Sequence, residues 1–205
     1  MATEYRPRVV DSELRECLVS AGAVVIEGPK ACGKTRMAQQ FAASSVLLDV
    51  DQEARRALAV DPALVLQGAR PRLLDEWQVD PSLWNAVRRA VDASAQAGQF
   101  LLTGSAVPAD DAARHTGAGR FAFVRLRPMT LREAGDGPGG VSLAALFAGE
   151  VPSCADPGLA ISDLAALVCR GGWPAQIQKP WAAAGRAARD YLEQVRQVDV
   201  SRVDG

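Results

Sequence analysis

Eight consecutive residues, Gly28-Pro29-Lys30-Ala31-Cys32-Gly33-Lys34-Thr35, carry the spacing G-x-x-x-x-G-K-[ST]. Each fixed position has a physical reason. Gly28 and Gly33 let the backbone turn with its N–H groups pointing inward, a geometry that a Cβ would obstruct. The Lys34 ammonium can reach the β- and γ-phosphates of a nucleoside triphosphate, and the Thr35 hydroxyl can hold Mg²⁺. A helix opening at the loop and running through Arg36 adds its positive end to the same anion site. The pattern is a Walker A phosphate loop, and residues 28–36 are the expected nucleotide-binding set.

A phosphate loop binds a nucleotide without saying what becomes of it. Leu73-Leu74-Asp75-Glu76 bears on that, because two acids close an apolar run. An acid at the end of a strand beside the loop strand is the Walker B arrangement, in which Asp75 would hold Mg²⁺ through water. Glu76 is then placed to polarise a water attacking the γ-phosphate. A small-molecule kinase needs no such glutamate, so the pair favours hydrolysis. The bland alternative is two solvated acids at a strand end.

Other positions each carry two readings. Thr103-Gly104-Ser105 ends another apolar run, and a hydroxyl in this stretch can orient the lytic water or read the γ-phosphate. The same stretch also suits an ordinary turn. Arg120, in Gly117-Ala118-Gly119-Arg120, can offer a cation to the γ-phosphate in cis or from a neighbouring subunit; most arginines are simply solvated. Gln78 either assists with water or is a solvated side chain, and the solvated reading is favoured. His115, the one histidine, lacks partners and reads as a surface residue. Cys32 is either a thiol activated by a helix N-terminus beside lysines or a small residue tolerated in the loop.

The flanks supply the context these residues need. Ala23-Val24-Val25-Ile26-Glu27 is apolar and β-branched, hence a buried strand, and residues 36–43 are mostly good helix formers. Upstream, Leu14, Leu18 and Val19 after Asp11-Ser12 predict a short amphipathic helix ending near Gly22. Downstream, strands are expected at 45–49, 72–76, 99–105 and 121–126. Between them lie a helix at 51–60 broken by Asp61-Pro62 and a helix opening at Pro81-Ser82 and closed by Gly98. Strands alternating with helices predict an α/β fold with a parallel sheet covered on both faces. Beyond Pro128 the pattern turns helical: Thr130-Leu131-Arg132-Glu133 fits a capping box. Helices follow at 142–149, 161–170 and 181–197, with a turn at Gly171-Gly172-Trp173-Pro174. The expected division is a core over 1–128 and a small helical unit over 129–205.

Composition bounds the rest. The 205 residues are 48% hydrophobic and 23% charged, with net charge −1, so no basic footprint argues for nucleic acid. No apolar run reaches membrane-spanning length, and residues 1–11 lack the apolar core of a signal peptide. Four cysteines with no C-x-x-C give neither a disulfide framework nor a zinc pattern. The chain therefore reads as cytoplasmic. The absence of an N-K-x-D guanine signature leaves ATP as the default nucleotide.

The motifs GPKACGKT, RLLDEWQ (72–78), LLTGSA (101–106), GAGR (117–120), RLRPMTLRE (125–133) and GGWP (171–174) occur in that order. Together they resemble the bacterial and archaeal AAA-domain P-loop ATPases that carry an uncharacterised C-terminal domain. The resemblance spans about residues 10–200. It implies a three-layer sandwich with a five-stranded parallel sheet of order 5-1-4-3-2, a helical lid, and ATP with Mg²⁺ as ligands. On the matching positions it implies Lys34 and Thr35 for phosphate and metal, Asp75 as Walker B and Glu76 as catalytic glutamate. It further implies Ser105 as sensor and Arg120 as a finger. Relatives of this kind usually continue past the lid, so a shortened member or a truncated product is expected here.

Three activities are open at this point. The first is an ATPase whose γ-phosphate state moves the lid, working through a homo-oligomer or an unidentified protein partner. The second is a nucleotide-gated interaction switch with little hydrolysis. The third, weaker, is a kinase for a small acceptor.

Overall fold

A computed structural model describes residues 4–104, 117–137, 141–152 and 158–199. Ser105 and His115 lie outside the described residues. The chain divides into two units, Met1–Arg127 and Pro128–Gly205.

The first unit opens with helix α1 (Asp11–Ser20), followed by strand β1 (Ala23–Glu27), α2 (Lys34–Gln39) and β2 (Ser44–Leu47). Next come α3 (Gln52–Val60), α4 (Pro62–Val65), β3 (Arg72–Asp75), α5 (Ser82–Ser94), β4 (Phe100–Thr103) and β5 (Phe121–Arg125). All strands are parallel, in the order β2-β3-β4-β1-β5, the order the motif resemblance implies. The three inner strands are buried nearly throughout, whereas β2 and β5 at the edges are only partly covered. This is why β1, β3 and β4 read as continuous apolar runs rather than alternating ones.

Alternation still decides which helix each residue meets. Ala23, Val25, Leu74, Phe100 and Leu102 share one core with Leu58, Val65, Leu83 and Val87 from α3, α4 and α5. Val24, Ile26, Leu73 and Leu101, also buried, belong to the opposite face, where α1 and α2 pack against the strands. The sandwich thus has three layers.

Several local expectations are corrected. Asp61-Pro62 does not simply end α3: the Asp61 carboxylate accepts from the Ala63 N–H at 2.8 Å and, with Pro62 at the first helical position, opens α4. Helix α5 ends at Ala95 in the left-handed conformation, φ 51°, three residues before Gly98. Helix α2 stops at Gln39 rather than continuing to 43. Val19, expected on the apolar face of α1, is 81% exposed; Leu14 is the residue that anchors it.

The second unit contains α6 (Leu131–Ala134), α7 (Leu143–Phe147), α8 (Ile161–Arg170) and α9 (Trp181–Gln194). The capping box at Thr130 and Glu133 is formed. Gly172 lies against Met129 so closely that a Cβ would stand 2.0 Å from the Met129 carbonyl oxygen, and the Met129 N–H donates to the Gly172 carbonyl at 2.7 Å. That contact explains the glycine in G-G-W-P. Buried Arg170 pairs with Asp136.

Candidate nucleotide site

Because the sheet is parallel, Glu27, Leu47, Asp75 and Thr103 all finish at one edge, and the loops leaving that edge share the same end of the sandwich. The loop between β1 and α2 is the predicted phosphate loop. Gly28 adopts φ 152°, and a Cβ on it would stand 2.1 Å from the Leu126 carbonyl oxygen, so both backbone angle and space require glycine. Gly33 adopts φ 103° at the start of α2. Ala31 also holds a positive φ, 61°, a conformation costing a side-chain-bearing residue about 1 kcal/mol or more. Pro29, Lys30, Ala31 and Arg36 are exposed along the rim.

Lys34 is 5% exposed. Its ammonium donates to the carbonyls of Gly28 at 2.8 Å and Pro29 at 3.0 Å. Among the described residues it meets no carboxylate. A buried cation held only by neutral dipoles is poorly compensated, so the position suits an anion.

Asp75, 6% exposed, ends β3. The Thr35 hydroxyl donates to its Oδ1 at 2.8 Å, which brings the two predicted metal-holding side chains together. β3 is not next to β1, as the Walker B reading expected: β4 lies between them. The last residue of β4, Thr103, is in register with Asp75. Its hydroxyl also donates to Asp75 Oδ1. The sequence offered a hydroxyl of Thr103-Gly104-Ser105 for this end of the sheet, and the family resemblance put the sensor at Ser105; the hydroxyl bonded to Asp75 is that of Thr103. The available signal was a polar residue closing an otherwise apolar strand just before a glycine.

Glu76 follows in the left-handed conformation, φ 54° and ψ 45°, which turns the chain sharply into a short 3-10 segment, Trp77–Val79. Trp77 is buried in the core, while the Glu76 carboxylate stays partly exposed and accepts from Gln78 Nε2.

Cys32 is completely buried, and its thiol donates to the Leu126 carbonyl at 3.6 Å. Burial pushes the thiol up from its ordinary range, against the pull of Lys34 and Arg8. The activated-thiol reading is therefore corrected: desolvation outweighs the nearby cations, and Cys32 packs the floor of the loop. A residue not singled out from the sequence, Arg8, lies beneath the same floor. Its guanidinium donates to the carbonyls of Cys32 at 3.0 Å and Arg127 at 2.6 Å.

Arg120 is elsewhere. Its carbonyl accepts from the N–H of Ala23, the first residue of β1, at 3.1 Å. It therefore stands at the edge opposite the loop, about 15 Å away by strand rise. Its guanidinium is paired with Asp92 at 2.8 Å. A finger in cis is corrected by this placement.

The residues present fit a Mg²⁺–nucleotide: a buried ammonium for phosphate oxygens, and a hydroxyl with a carboxylate for a hard cation. Among the described residues no group of three or more His, Cys, Asp or Glu side chains that could hold a metal ion occurs. No described helix is long and apolar enough to cross a membrane.

Comparison with known proteins agrees. A model of the AAA domain family matches residues 20–135, which contain the loop, Asp75 and Glu76. Uncharacterized proteins of Mycobacterium bovis and Mycobacterium tuberculosis are each 31% identical over 128 residues, 60% of this chain. The matched stretch spans only 29% of those relatives' length. With more than half of its length matched, the chain belongs to the AAA domain family.

Proposed function

We propose that the chain binds ATP with Mg²⁺ and hydrolyses it to ADP and phosphate. The observation that carries this reading is the 2.8 Å bond between Thr35 Oγ1 and Asp75 Oδ1. It joins the loop hydroxyl to the acid of a different strand, with Glu76 directly following. Lys34 and residues 28–36 bind the polyphosphate. Thr35 and Asp75 would hold Mg²⁺, which on binding neutralises charge on the β- and γ-phosphates. Glu76 takes a proton from the attacking water as its oxygen bonds to the γ-phosphorus and the bond to the β–γ bridging oxygen breaks.

The helical unit after Pro128 responds as a lid to the presence of the γ-phosphate. Its movement is read by another copy of the chain or by an unidentified protein partner, and from its place at the far edge of the sheet Arg120 is available only to a neighbour's site. The test is Mg²⁺-dependent phosphate release by wild type, Lys34→Ala and Glu76→Gln, with oligomeric state followed with and without nucleotide. Release that needs Mg²⁺ and falls in both variants is expected; wild type without release overturns the reading.

One observation favours a second reading, a nucleotide-gated switch with slow hydrolysis. Arg120 is paired with Asp92 at the far edge of the sheet, so a lone chain lacks that cation at its γ-phosphate. Equal, slow turnover by wild type and Glu76→Gln, with tight analogue binding by both, would select the switch.

A further inference from the structure

The structure assigns Gln78 as the positioning residue of Glu76, an inference that rests on the hydrolytic reading above. The left-handed backbone at Glu76 folds the chain back, and the Val79 N–H closes the turn onto the Glu76 carbonyl at 3.0 Å. Buried Trp77 pins the middle of the turn in the core. The side chain two residues after the glutamate therefore returns alongside it, and Gln78 Nε2 donates to Glu76 Oε2.

The rest of the carboxamide indicates what it is held there for. Only its NH₂ edge can face a carboxylate oxygen, so Glu76 fixes the orientation of the amide. Oε1 is thereby turned away into a buried position, where it has no hydrogen-bond partner among the described residues. Buried carbonyl oxygens are normally paired. A side chain that keeps its donor on Glu76 while its buried acceptor finds no partner among the described residues is poorly explained as a solvated glutamine. Gly104 makes the arrangement possible: a Cβ there would stand 2.2 Å from Gln78 Oε1. The glycine of T-G-S thus clears space for the glutamine of D-E-x-Q. With Oε2 held, the other oxygen of Glu76 is oriented to accept the water's proton.

Gln78→Met keeps the length and packing of the side chain without its donor, and Gly104→Ala displaces the carboxamide by a separate route. Both are expected to lower kcat about 10- to 100-fold, the size expected for one hydrogen bond to a charged group. Affinity for a fluorescent ATP analogue and Tm stay at wild-type values. Because Gln78 acts through Glu76, Gln78→Met added to Glu76→Gln lowers kcat no further. A readout without nucleotide is the Gln78 side-chain amide in a ¹⁵N spectrum, shifted and slow to exchange in wild type and shifted to exposed-amide values in Glu76→Ala. Wild-type turnover by Gln78→Met, additive loss in the double variant, or an unmoved amide signal would each overturn the inference alone. Absence of wild-type turnover would instead overturn the hydrolytic reading beneath it.

Discussion

The two ends of the sheet both carry charge, but they treat it differently. At the end where the strands finish, Lys34, Asp75 and Thr103 are 5%, 6% and 1% exposed; Lys34 is bonded to the loop carbonyls, and Thr103 and Thr35 are bonded to Asp75. At the opposite end, Arg120, Asp92 and Arg88 form ion pairs with side chains 21–43% exposed. Burying polar groups costs free energy unless they are paired, whereas exposed pairs contribute about 0–1 kcal/mol. The first end is thus a site held against its desolvation cost, and the second is a margin whose ion pairs lie partly in contact with solvent.

The buried end is disturbed most directly at Lys34. Lys34→Ala is expected to lower phosphate release by about 10²-fold or more, the scale for losing a charge clamp on a transferring phosphoryl group. Its affinity for an ATP analogue, followed by fluorescence, falls with it. Retained affinity and turnover would mean that the buried ammonium is structural.

Thr103→Val probes the strand that separates loop from acid. It removes one of two hydroxyls bonded to buried Asp75 and is expected to destabilise the first unit by about 1–3 kcal/mol, read by urea denaturation. A change within 0.3 kcal/mol, the usual experimental margin of about that size, would show that Thr35 alone satisfies the acid.

A smaller effect is expected beneath the loop, where burial raises the Cys32 thiol. Folding then favours the neutral thiol. This contribution is complete below the unfolded thiol value of about 8.5 and is lost as pH climbs past it toward the folded value. Melting temperatures from pH 7 to 10 should therefore fall more steeply in wild type than in Cys32→Ala. Parallel slopes would show that the sulfur ionises freely in the folded chain.

The smallest effect belongs to Arg120. Arg120→Ala should change stability by less than about 1 kcal/mol and leave turnover of dilute chain unaltered. Turnover that falls only at concentrations where chains associate would make the far edge a donor to a neighbour's site.

The sequence was most informative where the physics is local. β1 is found at Ala23–Glu27 as expected, because a β-branched run bounded by Gly22 and Gly28 has little alternative. The capping box at Thr130 needs only residues three apart. Boundaries were less legible where a cap competed with a breaker, as at Asp61-Pro62 and Ala95. Gln78 was read as solvated because a single position after an acid pair gives no hint of a left-handed turn.

By itself, then, the sequence determined the kind of chemistry: glycines where side chains cannot fit, an ammonium and a hydroxyl at fixed spacing, and two acids closing an apolar run. These constraints act within a few residues, so they survive in the order of letters. Tertiary structure alone decided which of the candidates share a site. Pairing β4 between β1 and β3 brought Thr103 to Asp75, and pairing β5 in parallel with β1 left Arg120 at the other edge. The parallel direction was legible in the alternation of strands and helices, and the strand order in the motif resemblance. Which side chains meet at the ends of those strands is set by long-range packing, which no local spacing encodes.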